Sequence, residues 1–368
     1  MFENQLNAID VKRLQHDIQT ASAADVERIL HKQHCTLSDF PVLISPAAAE
    51  FIETMAARSR QITALRFGKI VRMYVPLYIS NECVNACAYC GFNTHNPTPR
   101  TTLSHDEVLA EADVLHRQGF RHLLLVSGEH RTHVPVEFIA KIAHSLRDTF
   151  AGLSIEVYPM ETSEYQLLAD NGITSIAVYQ ETYNRRRYAE LHQGPKADFN
   201  YRLATPERAA SAGLREIGIG ALLGLSDPRL ELALLAQHAG YLMKTYWKAS
   251  ISVSFPRIRE AAGNFHPSET ITDRELAQAV FALRMVLPDA ELVLSTRENQ
   301  TFRDGMAGLG ITRMSAGSRT NPGGYSKSDN TLEQFAIDDQ RSASEVASML
   351  AQKGLEPVWK DFDRFFLS

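Results

Sequence analysis

Residues 72–92 read RMYVPLYISNECVNACAYCGF. The first half, Met73 to Ile79, is apolar and aromatic with one internal proline, the texture of a buried strand. The second half is a loop that follows at once and presents Cys83, Cys87 and Cys90 within eight residues. Chemistry-bearing side chains just past the carboxyl end of a strand are what a parallel α/β barrel delivers. Seven more short runs of the same kind follow: HLLLVS (122–127), LSIEVY (153–158), SIAVYQ (175–180), EIGIGALL (216–223), SISVSF (250–255), ELVLST (291–296) and ITRMSA (311–316). Helical segments with their own punctuation separate them. Ser104 with Glu107 and Thr272 with Glu275 are capping boxes, Thr205-Pro206 reads as a cap with proline at the first position, and Gly119, Gly172 and Gly213 sit where helices should stop. Eight βα units over about 250 residues predict a single (β/α)8 barrel of the TIM type. A doubly wound open sheet is the alternative that periodicity leaves open.

Working outward, residues 1–70 are expected to form a helical N-terminal extension. Asp25–Lys32 is amphipathic, and a longer helix starts at Ser45-Pro46 and runs to about Phe67. The barrel is expected over 71–335, followed over 336–368 by a helix opening at Ser342 with Glu345 and a tail, VWKDFDRFF, packed on the barrel. Apolar residues make up 44% of the 368, ample for a core, and the net charge of −5 argues against a surface for nucleic acid. The start, MFENQLNAIDVKRLQHDI, has no apolar run behind basic residues, and no stretch approaches the ~20 apolar residues of a membrane span. A cytoplasmic protein with no membrane partner is expected.

The four cysteines are too few and too clustered for a secreted disulfide scaffold. Cys83-x3-Cys87-x2-Cys90 instead presents three thiolates from one loop, suited to an iron–sulfur cubane with its fourth iron open. Structural zinc is the alternative, though zinc favours four closed ligands and no second cysteine pair exists. Cys35, in the helical leader, reads as a packing residue.

Further polar residues follow the other strand ends. Ser127-Gly128-Glu129 closes the second run; read alone it is an ordinary strand-to-helix turn. Glu161 follows the third run, and Gln180 and Glu181 the fourth; each is equally readable as a solvated loop residue. Gly218, Gly220 and Gly224 lie within and just after the fifth run, where close backbone approach to a ligand is expected. Arg257, Arg297 and Ser315 stand at or near the last three strand ends. Arginine grips carboxylate bidentately, so Arg297 is a candidate clamp for an amino-acid substrate. Arg257 could instead make an ordinary ion pair, and Tyr78, at the end of the first run, could be plain core.

C-x3-C-x-aromatic-C, with Tyr89 before the last cysteine, resembles the signature of the radical S-adenosylmethionine (SAM) superfamily. The resemblance implies a radical SAM barrel with one [4Fe–4S] cluster on Cys83, Cys87 and Cys90, its open iron chelated by SAM. It also implies that Ser127, Gly128 and Glu129 hold the SAM ammonium and that Glu161, Gln180 and Glu181 border its ribose and carboxylate. YVPLYISNECVNACAYCGF, LLLVSGEH, VYQETY, IGIGALLGLSD, SVSFPRIR, LSTRE, NPGGY and EPVWKDFD together resemble the 2-iminoacetate synthases, the tyrosine lyases of thiamine biosynthesis, over residues 20 to 365. That family is expected to take a hydrogen from the amino group of L-tyrosine and break its Cα–Cβ bond, giving p-cresol and 2-iminoacetate (dehydroglycine). Arg297 with Ser315 would seat the substrate carboxylate and Tyr78 would line the pocket. A thiazole synthase partner and an electron donor of the flavodoxin or ferredoxin type are implied as well. No cysteine follows Cys90, so the second cluster of the hydrogenase-maturation relative is not expected. A deazaflavin cofactor synthase and a non-catalytic cluster scaffold remain as alternatives.

Overall fold

The computed structural model describes residues 1–263, 265–267, 269–326 and 333–360; the tail beyond Lys360, predicted to pack on the barrel, lies outside the described residues. Eight parallel strands run β1 (Ile70–Ser80), β2 (His122–Ser127), β3 (Gly152–Glu156), β4 (Ser175–Glu181), β5 (Glu216–Ala221), β6 (Ser250–Ser254), β7 (Glu291–Leu294) and β8 (Arg313–Ser315). Each pairs with the next, and β8 and β2 both pair with β1, closing the barrel. The open-sheet alternative is thereby excluded. A ninth strand, β9 (Glu356–Val358), pairs parallel to the start of β1.

Alternation along the strands sorts barrel interior from helix-facing core. On β1, Met73, Val75, Leu77 and Ile79 enter the main apolar core, while Tyr74, Pro76 and Tyr78 line an interior cavity. On β3, Leu153 and Ile155 face the helices; Ser154 and Glu156 face inward. The β5 glycines have a packing reason that the sequence did not disclose. A Cβ on Gly220 would meet the Tyr179 ring and the Ser254 carbonyl oxygen, both at 2.7 Å. The close approach expected there is by the neighbouring strands and not by a ligand.

At the amino-terminal end of the barrel Arg72 and Arg313 pair with Glu216 and Glu291 across its axis. These neutralised charges fill the bottom, and the two arginines outweigh burial to hold Glu216 well below the usual carboxylate range.

The helical leader differs in detail from expectation. Its amphipathic helix is Ala23–Leu30, and the long helix divides into a 3-10 segment, Pro46–Phe51, and an α-helix, Ile52–Phe67. Ser45 caps the tight first turn from its side chain, accepting from the Ala48 N–H at 3.3 Å. Thr205 is not a cap: the helix Phe199–Leu203 runs almost directly into Thr205–Ser211, and the hydroxyl donates back to the Tyr201 carbonyl at 3.0 Å. Gly119, Gly172 and Gly213 do end helices, with φ of 102°, 111° and 87°.

Phe2 stacks on His238 at 4.1 Å, and the His238 ring, bonded to the Tyr183 hydroxyl, is buried and held neutral with its pKa lowered to about 3. The unfolded chain takes up that proton below pH ~6.5, so folding stability is lost as pH falls from there towards 3. At pH 5.5 this one group should cost about 1 kcal/mol. Urea titrations at pH 7.5 and 5.5 should show a smaller acid loss in His238→Gln than in the native chain; equal losses would assign the acid sensitivity elsewhere.

Candidate active site

The cysteine loop is fastened from three sides. The Val84 N–H donates to the Glu129 carbonyl at 3.1 Å, the Ala86 and Ala88 N–H groups to Gln193 and Leu191, and the Gly91 N–H to the Gln334 carbonyl. Gly128 admits this arrangement, since a Cβ there would lie 2.2 Å from the Glu82 carbonyl oxygen. The three thiols are free, and burial and their mutual repulsion push those of Cys87 and Cys90 up. Their Sγ atoms do not form a set within 4.8 Å of one another, as Glu82, His130 and His133 do. A single tetrahedral zinc with bonds of about 2.3 Å holds its sulfurs closer, at about 3.8 Å. The donor set therefore fits a cubane better than one zinc ion. Gln334 adds an N–H···S contact of 3.8 Å to Cys90.

Beside the loop lies a cleft of about 670 Å³ whose walls include Glu129, Tyr158, Glu161, Lys196, Asp198 and Arg202. Its charges are paired. Glu129 accepts from Asn85 Nδ2 and from Arg202 Nη1, both at 2.9 Å, and Glu181 pairs with Lys196 at 2.7 Å and Arg202 at 3.6 Å. The two cations outweigh burial and lower the Glu181 pKa. Glu181 also stands in the left-handed region at φ 69°, a strained conformation for a residue with a Cβ. Glu161 caps the helix Thr162–Asp170 and accepts from the Tyr201 hydroxyl at 2.8 Å. Gln180 is buried; its Nε2 donates to the Phe199 carbonyl at 3.4 Å, and its Oε1 finds no partner among the described residues. The Ser127 hydroxyl is likewise buried and unpartnered.

Beneath the cysteine loop the inner cavity is lined by Tyr74, Tyr78, Glu156, Arg297, Ser315 and Phe335. It is narrow, about 60 Å³, so a ligand of amino-acid size must displace side chains to enter. The Arg297 guanidinium stacks on the Phe335 ring with 3.3 Å to the centroid and has no carboxylate or carbonyl partner among the described residues. Arg257, the other candidate, is committed: it pairs with the buried Glu298 and with Asp273. Ser315 accepts from the Thr296 N–H at 3.0 Å. The Tyr78 hydroxyl donates to Gln334 Oε1 at 2.7 Å, so one glutamine connects the cavity wall to Cys90.

Residues 77–236 match the Radical SAM superfamily and residues 254–356 the Biotin and Thiamin Synthesis associated domain. The chain is 42% identical to 2-iminoacetate synthase of Escherichia coli K12, over 99% of this chain and 97% of that protein. The chain belongs to the 2-iminoacetate synthase family. To the same protein of Salmonella typhimurium LT2 it is 44% identical, over 94% of this chain and 92% of the relative. The X-ray structure of the FeFe-hydrogenase maturase HydG from Carboxydothermus hydrogenoformans superposes with a TM-score of 0.90 at 31% identity, covering 98% of this chain and 85% of that one.

As a 2-iminoacetate synthase family member the protein is a radical SAM lyase, and the family's cofactors are a [4Fe–4S] cluster and SAM. Sequence reading gathered the cysteines, Glu129 and Arg297 but missed those that hold them. Lys196, Arg202 and Gln334 are distant from them in sequence, and Asn85, within the cysteine loop, meets Glu129 only when the barrel closes. Glu156, inside the third run, was also missed, although it ends β3 on the inward phase of the strand.

Proposed function

We propose that the protein cleaves L-tyrosine at Cα–Cβ to 2-iminoacetate and p-cresol, with the Arg297 guanidinium, which lines a cavity beneath the cysteine loop and has no carboxylate or carbonyl partner among the described residues, as the observation that carries the reading. Arg297 is half-buried in a narrow cavity, where a ligand that supplies an acceptor makes a charge-assisted bond, and an amino-acid carboxylate matches its fork. Cys83, Cys87 and Cys90 would hold one cluster through three thiolates, and Glu129 and Glu161 in the walls of the outer cleft, with Ser127, Gly128, Gln180 and Glu181 at the neighbouring strand ends, would receive SAM. When bound, cluster and SAM supply one electron and the hydrogen-abstracting radical. The protein's own part is placement: Arg297 and Ser315 fix the carboxylate, so the substrate amino group is turned towards the outer cleft. The hydrogen is lost from that nitrogen, the Cα–Cβ bond breaks, and the 4-hydroxybenzyl fragment takes up one electron and one proton to give p-cresol. The tight inner cavity keeps water from the imine. Since the imine hydrolyses once released, handover to a thiazole synthase is part of this proposal, as are a flavodoxin- or ferredoxin-type donor and a cytoplasmic setting; among the described residues no single helix is long and apolar enough to cross a membrane.

Product analysis tests the reading: reduced, cluster-loaded protein with SAM should release p-cresol only when tyrosine is present. A tyrosine-using ligase, such as a deazaflavin cofactor synthase, would consume tyrosine without that product. A scaffold would cleave no SAM.

Glu129→Gln keeps shape and removes charge. A charge-assisted contact to the SAM ammonium is worth roughly 1.5–3 kcal/mol, so SAM affinity should fall by about tenfold to a hundredfold with iron content unchanged. Normal SAM affinity in this variant would reduce Ser127-Gly128-Glu129 to a structural turn that anchors Val84 and Arg202.

A further inference from the structure

One half-buried acid lining the inner cavity has no task in the reading above. Glu156 ends β3, its neighbours Leu153 and Ile155 face the helices, and the alternation turns its carboxyl into the barrel. Among the described residues no hydrogen bond or ion pair engages it. It feels the Arg297, Lys196 and Arg202 cations and the Glu181 carboxylate, and it faces the hydroxyls of Tyr74, Tyr78 and Tyr179. Burial raises its pKa to about 7. In an eight-stranded ring β3 lies four strands from β7 in either direction, so Glu156 and Arg297 stand on opposite walls of one cavity. A ligand whose carboxylate sits at Arg297 and whose amino group faces the outer cleft extends its side chain across the barrel, towards β3.

We propose that Glu156 is the specificity-determining residue that accepts a hydrogen bond from the phenol hydroxyl of the substrate, so that the inner cavity selects a para-hydroxylated aromatic amino acid over its unhydroxylated analogue. This rests on the proposed tyrosine cleavage. A site with a buried polar group built for a hydroxyl rejects the ligand that lacks it, because the carboxyl is then left unpaired in an apolar wall. The walls around Glu156 supply the complementary apolar surface, with Leu124 and Val126 on β2 and the Tyr179 ring on β4. Of the tyrosine hydroxyls nearby, that of Tyr78 is held elsewhere, donating to Gln334.

The test is equilibrium dialysis of labelled L-tyrosine and L-phenylalanine against the cluster-loaded, SAM-bound, unreduced protein. The native chain should bind tyrosine about thirtyfold to a hundredfold more tightly than phenylalanine. Glu156→Leu should bring the two within about fivefold by losing tyrosine affinity and gaining phenylalanine affinity, with SAM affinity unchanged. Glu156→Gln, which keeps an acceptor without the charge, should fall between, and it decides the matter should the leucine variant fail to load its cluster. An unchanged ratio overturns the proposal. So does an equal loss for both ligands, which would place Glu156 on the ammonium they share. p-Cresol formation by the native protein is measured separately: its absence would sink the lyase reading, while the tyrosine-to-phenylalanine ratio still reports on Glu156.

Discussion

Alanine at Cys83, Cys87 or Cys90 abolishes the broad visible absorbance of the reconstituted cluster and all reductive SAM cleavage, whereas Cys35→Ala leaves both at the native level. The contrast follows from placement. The three thiols sit on one loop pinned to Glu129, Leu191, Gln193 and Gln334, and under the proposed ligation removing any of them leaves two thiolates on a loop with no further cysteine. Cys35 is buried in the leader, its thiol pointing at the Ile29 carbonyl at 3.9 Å and its pKa raised by burial. It is a small packing residue, and alanine there should cost on the order of 1 kcal/mol of stability. Iron analysis of the four variants settles it; a Cys35→Ala protein that lost iron would mean the ligands have been misassigned.

Arg297→Lys raises the dissociation constant for tyrosine by roughly thirtyfold to a hundredfold, a loss of the size expected for a charge-assisted, bidentate contact. Lysine keeps the positive charge but supplies neither two parallel N–H groups nor a flat face to stack on Phe335. SAM cleavage in the absence of substrate and the cluster absorbance should not change, since Arg297 lies on the wall below the cysteine loop. Tyramine, without the carboxylate, should be a poor substrate of the native protein for the same reason. Unchanged tyrosine affinity in the lysine variant would remove the clamp from Arg297. Arg257 could not inherit it without first leaving Glu298 and Asp273.

The barrel was legible because each strand carries its own signal. Short apolar runs with capped helices between them predict βα units, while closure is shown by the pairing of β8 and β2 with β1, since periodicity left an open sheet possible. What the sequence could not show is which residues meet across the ring. Glu129 looked free to hold a ligand, yet it is already paired with Arg202, 73 positions away. Gln334 binds both Tyr78 and Cys90 from more than 240 positions away. Glu156 lies inside a run that read as structural, and only the inward phase of β3 turns it into a cavity residue. The leader shows the opposite limit: Ser45 and Pro46 marked a helix start correctly, but the switch from 3-10 to α geometry at Ile52 depends on packing against the barrel helices, which local sequence does not encode.

The most direct test of the tyrosine-lyase account is an anaerobic reaction in deuterium oxide, with reduced cluster-loaded protein, SAM and tyrosine, in which 5′-deoxyadenosine and p-cresol are quantified by mass spectrometry. Amino hydrogens exchange with solvent and carbon-bound ones do not. The account predicts equal amounts of the two products, with one deuterium on the 5′-carbon of the deoxyadenosine. Deoxyadenosine without that deuterium, or formed without matching p-cresol, would contradict it.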